Sequence, residues 1–143
     1  MKTMALVLLP MALMAAARGG PHRHGDFDVA RVDQRVTEHL VDALDDLKAT
    51  EAQRARILAI KNRLLPEVGA MAASQKLARQ ELVAQLSSDR PDPARLHALV
   101  DKQIAELRAL AHKSVDGVVE AHGTLTPEQR APLIRKMNRY AAR

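Results

Sequence analysis

One short pattern occurs twice in this chain, and each copy has the residues that begin an α-helix. The sequence TEAQR at residues 50–54 recurs 76 positions later as TPEQR at residues 126–130. A threonine followed three residues later by glutamine forms a capping box, in which each side chain accepts a hydrogen bond from the backbone N–H of the other residue. The repeat therefore predicts two helix N-termini, at Thr50 and at Thr126.

Apolar residues follow a helical period from residue 29 onwards. Spacings of three and four predict four amphipathic helices: one ending near residue 47, one from the Thr50 cap to residue 86, one from Pro93 to a C-terminal cap at Gly123, and one from Thr126. Turn-forming residues at 87–93 separate the second helix from the third. The apolar stripe of the third helix consists of Leu96, Val100, Ile104, Leu107, Ala111, Val115 and Val118.

The two central helices are the longest, and they predict a thin hairpin. At 1.5 Å per residue they extend roughly 45 to 55 Å. Pro66 and Pro132 lie inside helical patterns, where each removes one backbone hydrogen bond and is expected to bend or break its helix. We expect a long curved α-hairpin wrapped by the first and fourth helices, and dimerisation to bury more of its surface.

Composition agrees with an all-α fold in a single domain. The chain has 143 residues, about one domain, and its aromatic content is 1 %, so its core must consist of aliphatic residues and methionine. The absence of cysteine excludes disulfides, thiolate metal sites and a cysteine nucleophile.

The N-terminus resembles an export signal. Lys2 precedes an apolar run and the small residues AAA at 15–17, which is typical of a cleavable secretory signal peptide over residues 1–17. The run is shorter than the roughly 20 apolar residues of a membrane-spanning helix, although an uncleaved inner-membrane anchor is the alternative. We expect a flexible segment with His and Gly at residues 18–27, and a four-helix domain over residues 28–143.

Charge is distributed unevenly between the helices. Residues 26–46 contain seven acidic and two basic residues, whereas residues 50–87 contain six basic and three acidic residues. The last segment adds five basic residues against Glu128: Arg130, Arg135, Lys136, Arg139 and Arg143. Opposite charge predicts that the acidic first helix pairs with the basic later helices.

The signal peptide, the helical pattern and the repeated motif together resemble the Spy/CpxP family, also known by its LTXXQ motif. The second copy matches the motif in full, with Leu125 before Thr126 and Gln129, whereas the first has Ala49 where leucine is usual. The resemblance covers residues 26 to 141. It implies an antiparallel, cradle-shaped dimer in the periplasm that acts as an ATP-independent chaperone or a stress regulator. Related heavy-metal sensors share the motif.

We interpret the motif residues as architecture. Helix capping explains the hydrogen bonds of all four residues: Thr50, Gln53, Thr126 and Gln129. We therefore expect none of them to contact a ligand.

Metal binding is predicted at one place only. His22 and His24 form the single close histidine pair and could bind zinc, copper or another divalent metal with ligands from nearby residues, although a structural zinc site normally needs four ligands. The family's metal sensors have His-x-x-x-His and His-x-x-x-Met pairs, which are missing here. Four residues after His39 stands Ala43, and four residues after His112 stands Asp116. No cofactor is expected to be required.

Other classes of function have no support in the sequence. There is no nucleophile elbow, phosphate loop or zinc-protease motif, so we expect a non-enzyme. Nucleic acid is not an expected partner, since the basic helices contain no stacking aromatic residues.

The function that we expect is that of a periplasmic holdase, which binds unfolded envelope proteins. Homodimers are expected, and the sensor domain of an inner-membrane signalling protein is a further candidate partner. The alternatives are a heavy-metal sensor or resistance protein that uses His22 and His24, and a scaffold for one partner. The residues predicted to contact clients are basic: Arg54, Arg56, Lys61, Arg63, Lys76 and Arg79.

Overall fold

The computed structural model describes residues 28–141, and all regular structure in this part of the chain is helical. The helices are α1 (Val29–Asp46), α2 (Glu51–Leu86), α3 (Pro93–Thr124) and α4 (Pro127–Ala141). The prediction of an all-α fold with four helices is therefore confirmed. None of these helices is long and apolar enough to cross a membrane.

Side-chain caps define where α1 and α3 begin. The carboxylate of Asp28 accepts a hydrogen bond from the Arg31 N–H at 3.1 Å. Asp92 accepts hydrogen bonds from the N–H groups of Ala94 and Arg95, and Pro93 occupies the first turn, where its missing N–H costs nothing.

The prolines inside α2 and α4 do not break these helices. α2 continues through Pro66 and α4 through Pro132, so each helix tolerates the loss of one backbone hydrogen bond. The expected curvature of the hairpin stays a prediction.

The predicted cap at Gly123 is wrong, because α3 continues for one more residue to Thr124. The glycine has no positive φ, and the extended backbone of Leu125 ends the helix instead. A left-handed residue is found at the end of α1, where Lys48 has φ 51°. The Ala49 N–H then donates to the Leu44 carbonyl at 2.9 Å, as in a Schellman motif.

α2 and α3 pack antiparallel, and ion pairs line one side of this hairpin. Arg63 pairs with Glu120 at 2.5 Å and Glu67 with Lys113 at 2.7 Å. Near the turn, Glu81 pairs with Arg95 at 2.6 Å. Exposed ion pairs contribute only about 0–1 kcal/mol each, so these pairs define the register of the hairpin more than its stability.

The core lies at the open end of the hairpin, where all four helices meet. We call this end the base, and the α2–α3 turn the tip. One cluster joins α1, α2 and the residues around α4: Leu40, Leu44, Leu47, Ala49, Ile57, Leu125 and Leu133. A second cluster continues along the hairpin: Ile60, Leu64, Val68, Met71 and Leu110. Gly117 permits the close approach of α3, since a Cβ there would lie 2.9 Å from Leu64 Cδ1.

The hairpin is thinly packed beyond this core. No residue from 72 to 109 is buried. Between the helices, Ser74 donates a hydrogen bond to Glu106 at 2.5 Å, and the Gln103 amide donates to Ser74 at 3.0 Å. A polar cluster therefore stands where a longer core would have apolar residues.

The apolar stripe expected for α3 is not the buried face of this helix. Leu110, Ser114 and Gly117 are the buried residues of this helix. Val100, Ile104 and Val115 are instead 54, 59 and 59 % exposed. Ser114 and Gly117 face inward because small residues let the two helices approach, and Val100, Ile104 and Val115 are left on the outside.

The acidic α1 packs on the basic α2, as the charge distribution predicts. Lys61 is buried, and its ammonium group donates to the carboxylate of Asp33 and to the Thr37 hydroxyl, the latter at 2.9 Å. Arg54 pairs with Asp45 near the end of α1.

Candidate functional site

Both copies of the repeated motif form complete capping boxes. The Thr50 N–H donates to Gln53 Oε1 at 2.9 Å, and the Gln53 N–H donates to Thr50 Oγ1 at 3.3 Å. The equivalent distances for Thr126 and Gln129 are 2.9 and 3.4 Å. The two helices therefore begin with the same local geometry.

The fold brings the two caps together through their glutamines. Gln53 Nε2 donates to Gln129 Oε1 at 3.0 Å, and Gln129 Nε2 donates to Gln53 Oε1 at 3.2 Å. Each amide also donates to a backbone carbonyl of the other turn, Gln53 to Thr124 at 2.9 Å and Gln129 to Leu47 at 3.2 Å. The motif thus joins the α1–α2 turn to the α3–α4 turn at the base of the hairpin.

The arginine that follows each glutamine also repeats its contact. Arg54 Nε donates to the Ala49 carbonyl at 3.0 Å, and Arg130 Nε donates to the Leu125 carbonyl at 2.9 Å. Ala49 and Leu125 hold the same position in the two copies, and both are buried in the core cluster at the base. The motif is therefore six residues long in structural terms, from the buried apolar residue to the arginine.

Glu128, within the second copy of the motif, has a lowered pKa. Its own backbone N–H, followed by the Thr126 hydroxyl, lowers the pKa of the Glu128 carboxyl below its ordinary value. The free N–H groups at a helix start favour negative charge in this way. The carboxyl is fully exposed.

The structure does not bring the six predicted client-contacting residues together on one surface. Arg54 and Lys61 make the contacts within the chain described above. Arg63 is ion-paired with Glu120 along one side of the hairpin, whereas Arg79 lines a groove on another side. The other two, Arg56 and Lys76, are exposed on α2.

The groove that contains Arg79 lies between α2 and α3 near the tip and has a volume of about 380 Å³. Leu82 and Leu107 in its wall are each 42 % exposed. The residues around it are mainly apolar: Gln75, Ala78, Arg79, Leu82, Leu96, Leu99, Val100, Gln103, Ile104 and Leu107. Sequence reasoning missed this surface, although the stripe of the third helix contained most of its α3 residues.

No cluster of metal-ligating side chains is present in residues 28–141. The predicted ligands, His22 and His24, lie outside the described residues, so their prediction stays open. Of the other histidines, His39 has its Nδ1 atom 2.7 Å from the carbonyl oxygen of Arg35 on the same helix.

Comparison with known proteins gives one match. A family model described as LTXXQ motif family protein matches residues 36–137 and so includes both copies of the motif. No curated protein and no solved structure gives a significant match to the chain. Since the matched segment is more than half of the sequence and contains both linked caps, the chain belongs to the LTXXQ motif family, which is of Spy/CpxP type.

Proposed function

We propose that this protein is a periplasmic, ATP-independent chaperone that holds unfolded envelope proteins. Members of the LTXXQ family are non-enzymatic chaperones or sensors, and the family is typically periplasmic. The family as a whole has Spy/CpxP-like functions or functions related to metal resistance, and a chaperone that holds unfolded proteins falls within this range.

The observation that supports the proposal most directly is the exposed apolar surface of the hairpin. Of the thirteen large hydrophobic residues that are exposed in the described chain, nine lie in α2 and α3, among them Val100, Ile104 and Leu107. Contiguous exposed apolar surface on a folded protein marks an interaction site, and aliphatic side chains accept many partner sequences because their contacts are not directional. Arg79 at the groove adds a charge that attracts acidic segments.

We also propose that the protein works as a homodimer. Apolar side chains are exposed at the tip (Val83 and Leu86, 63 and 62 %) and at the base (Val119, Ile134 and Met137, 64, 47 and 48 %). In an antiparallel pair of hairpins related by a two-fold axis, the tip of each copy lies at the base of the other. The apolar side chains at the tip and at the base then cover each other. The groove between them then stays open to clients.

The test is light scattering from an unrelated aggregating protein, with and without purified residues 18–143, in chelator and without nucleotide. Suppression at a stoichiometric ratio supports the proposal. Unchanged aggregation would reject it, provided that circular dichroism shows the added protein to be helical.

The second candidate, a metal-responsive protein, has its support in the pair His22 and His24. It predicts saturable zinc or copper binding that the double substitution His22→Ala/His24→Ala abolishes. A titration that is unchanged in this variant would reject the assignment of these ligands. Suppression of aggregation only after zinc is added would unite the two candidates.

A further inference from the structure

The sequence of α2 repeats one pattern of side chains after 18 residues. Eighteen residues are five turns of an α-helix, so the two sets lie on the same side of α2 and about 27 Å apart. Ile60, Lys61, Leu64 and Val68 recur as Ala78, Arg79, Leu82 and Leu86. Each set has one basic residue beside three aliphatic residues.

Lys61 of the first set lies on the surface where α1 packs, whereas Ile60 and Leu64 contact Gly117 of α3. Lys61 binds the carboxylate of Asp33 and the Thr37 hydroxyl, and a Cβ at Gly69 would meet Val29 at 3.2 Å. In α1, Asp33 lies between Val32 and the Val36 that packs on the core. This surface thus receives an amphipathic helix that has a carboxylate within its apolar stripe.

The second set contributes Ala78, Arg79 and Leu82 to the groove near the tip, where no other helix of the described chain covers them in the way that α1 covers Lys61. Arg79 and Leu82 line it together with Val100 and Ile104 of α3, and all four are exposed. Among the residues that the structure describes, no carboxylate pairs with Arg79. The wall from Leu96 to Leu107 is about 16 Å long, enough for three turns of a bound helix.

We propose that this groove binds an amphipathic helix of a client in which a carboxylate interrupts the apolar stripe, as Asp33 does in α1. The proposal rests on the proposed chaperone function and specifies its substrate class. Arg79 pairs with the carboxylate, and Leu82, Val100 and Ile104 receive the apolar residues on either side of it. The charge and the apolar groove together select acidic amphipathic helices over basic ones.

The experiment uses a fluorescent peptide of residues 28–47, the α1 sequence, titrated with the purified protein and followed by anisotropy. Arg79→Glu should weaken binding about fivefold, since a partly exposed ion pair is worth up to about 1 kcal/mol. Ile104→Asp should weaken it about tenfold or more, because it places a charge where the bound peptide would bury an aliphatic side chain. Arg108→Glu is the matched control: this arginine is exposed on α3 outside the groove, and its variant should bind like the wild type.

The peptide variant Asp33→Asn identifies the partner of the arginine. The variant peptide should bind the wild-type protein less tightly than the original peptide does. The Arg79→Glu protein should bind both peptides with equal affinity, because the ion pair is already absent there. Affinity that depends on Lys61 and not on Arg79 or Ile104 would overturn the proposal, since the peptide would then be exchanging with the chain's own α1. The proposal would also fall if Arg79→Glu dissociated a dimer but left peptide affinity unchanged, because a second copy would then occupy the groove.

Aggregation assays with the same variants separate this proposal from the function on which it rests. Weaker suppression by Arg79→Glu and Ile104→Asp, with normal suppression by Arg108→Glu, supports the groove. If all three variants suppress aggregation as the wild type does, the chaperone function stands and the groove proposal is wrong. If the wild type does not suppress aggregation, the function is wrong, and the peptide titration still decides whether the groove binds helices.

Discussion

At the scale of single residues, the paired glutamines have more bonds than a helix cap requires. Each amide oxygen accepts from its own threonine N–H and from the other glutamine, and each amide nitrogen donates to the other glutamine and to a carbonyl of the opposite turn. The four hydrogen-bonding sites of each side-chain amide are thereby occupied. The residue pair is a link between two turns that are far apart in sequence.

This link predicts strong coupling between Gln53→Ala and Gln129→Ala. Each substitution removes the glutamine half of a capping box and leaves a part-buried carbonyl without its donor, so we expect each to lower the free energy of unfolding by about 1–2 kcal/mol. The double variant should lose less than the sum, because the first substitution already removes the bond between them. Urea denaturation measures both effects. Gln34→Ala is the control, since Gln34 bonds only to the exposed Glu38 on the same helix and should cost little. Additive losses would show that the bond between the glutamines contributes nothing.

The buried Lys61 leads to an asymmetric prediction. Asp33→Ala should lower the free energy of unfolding by about 1–3 kcal/mol, because it leaves a buried ammonium with Thr37 as its remaining partner. Lys61→Met should cost less, since methionine fills similar space, and the side chain of Asp33 is 43 % exposed and can be hydrated. Thermal unfolding of the two variants checks the order. Equal losses would contradict the argument that the buried charge dominates.

At the scale of helices, the two glycines of α3 have opposite expected responses to alanine. A Cβ at Gly123 would meet nothing within 4 Å, so Gly123→Ala should stabilise the protein by up to about 1 kcal/mol through helix propensity alone. At Gly117 the same gain is opposed by contacts at 2.9 Å with Leu64 and 3.1 Å with Ile60. Gly117→Ala should therefore stabilise less or destabilise, and Gly117→Val should destabilise clearly through overpacking. Melting temperatures of the three variants test this, and a stabilised Gly117→Val would show that α2 and α3 are not closely packed here.

The helices themselves were predictable because their signals are local. Caps at Thr50, Asp92 and Thr126 and the period of the apolar residues give their number and starts without any tertiary information. The end of α3 was misplaced because glycine at position 123 resembles a cap, whereas the extended Leu125 before the second motif ends the helix.

The packing of the helices was less predictable, for reasons of geometry. Periodicity finds the most apolar stripe of α3, but helix approach is decided by small residues, so Ser114 and Gly117 face inward and Val115 does not. The bond between Gln53 and Gln129 requires two turns to meet across 76 positions, which one sequence without its fold does not reveal. The N-terminal predictions, including His22 and His24, concern residues outside those described.

At the scale of the whole molecule, the distribution of charge predicts how client capture depends on salt. The chain has a formal net charge of +5, and exposed basic residues such as Arg56 and Arg79 attract acidic chains over distances comparable to the Debye length, about 10 Å at 0.1 M salt. Association with an acidic unfolded client should slow as salt rises, while dissociation should change less because apolar contacts hold the complex. Stopped-flow fluorescence across a range of ionic strength measures both rates. Capture that is insensitive to salt would remove the electrostatic part of the proposal and leave the apolar part.

The proposed dimer makes a prediction that depends on symmetry. In a two-fold antiparallel pair, each tip contacts the base of the partner, and the contact occurs twice, so one substitution alters both copies of it. Leu86→Asp at the tip and Met137→Asp at the base should each convert the dimer to a monomer, because each places a charge in both apolar contacts. Leu77→Asp is the control: Leu77 is 65 % exposed but lines a second groove between α2 and α3, on the side of Glu81 and Arg95 and away from both contacts, so this variant should stay dimeric. Sedimentation equilibrium gives the mass of each variant. If only one of the two ends matters, the copies do not meet tip to base, and if neither matters, the exposed ends belong to clients and not to a second copy.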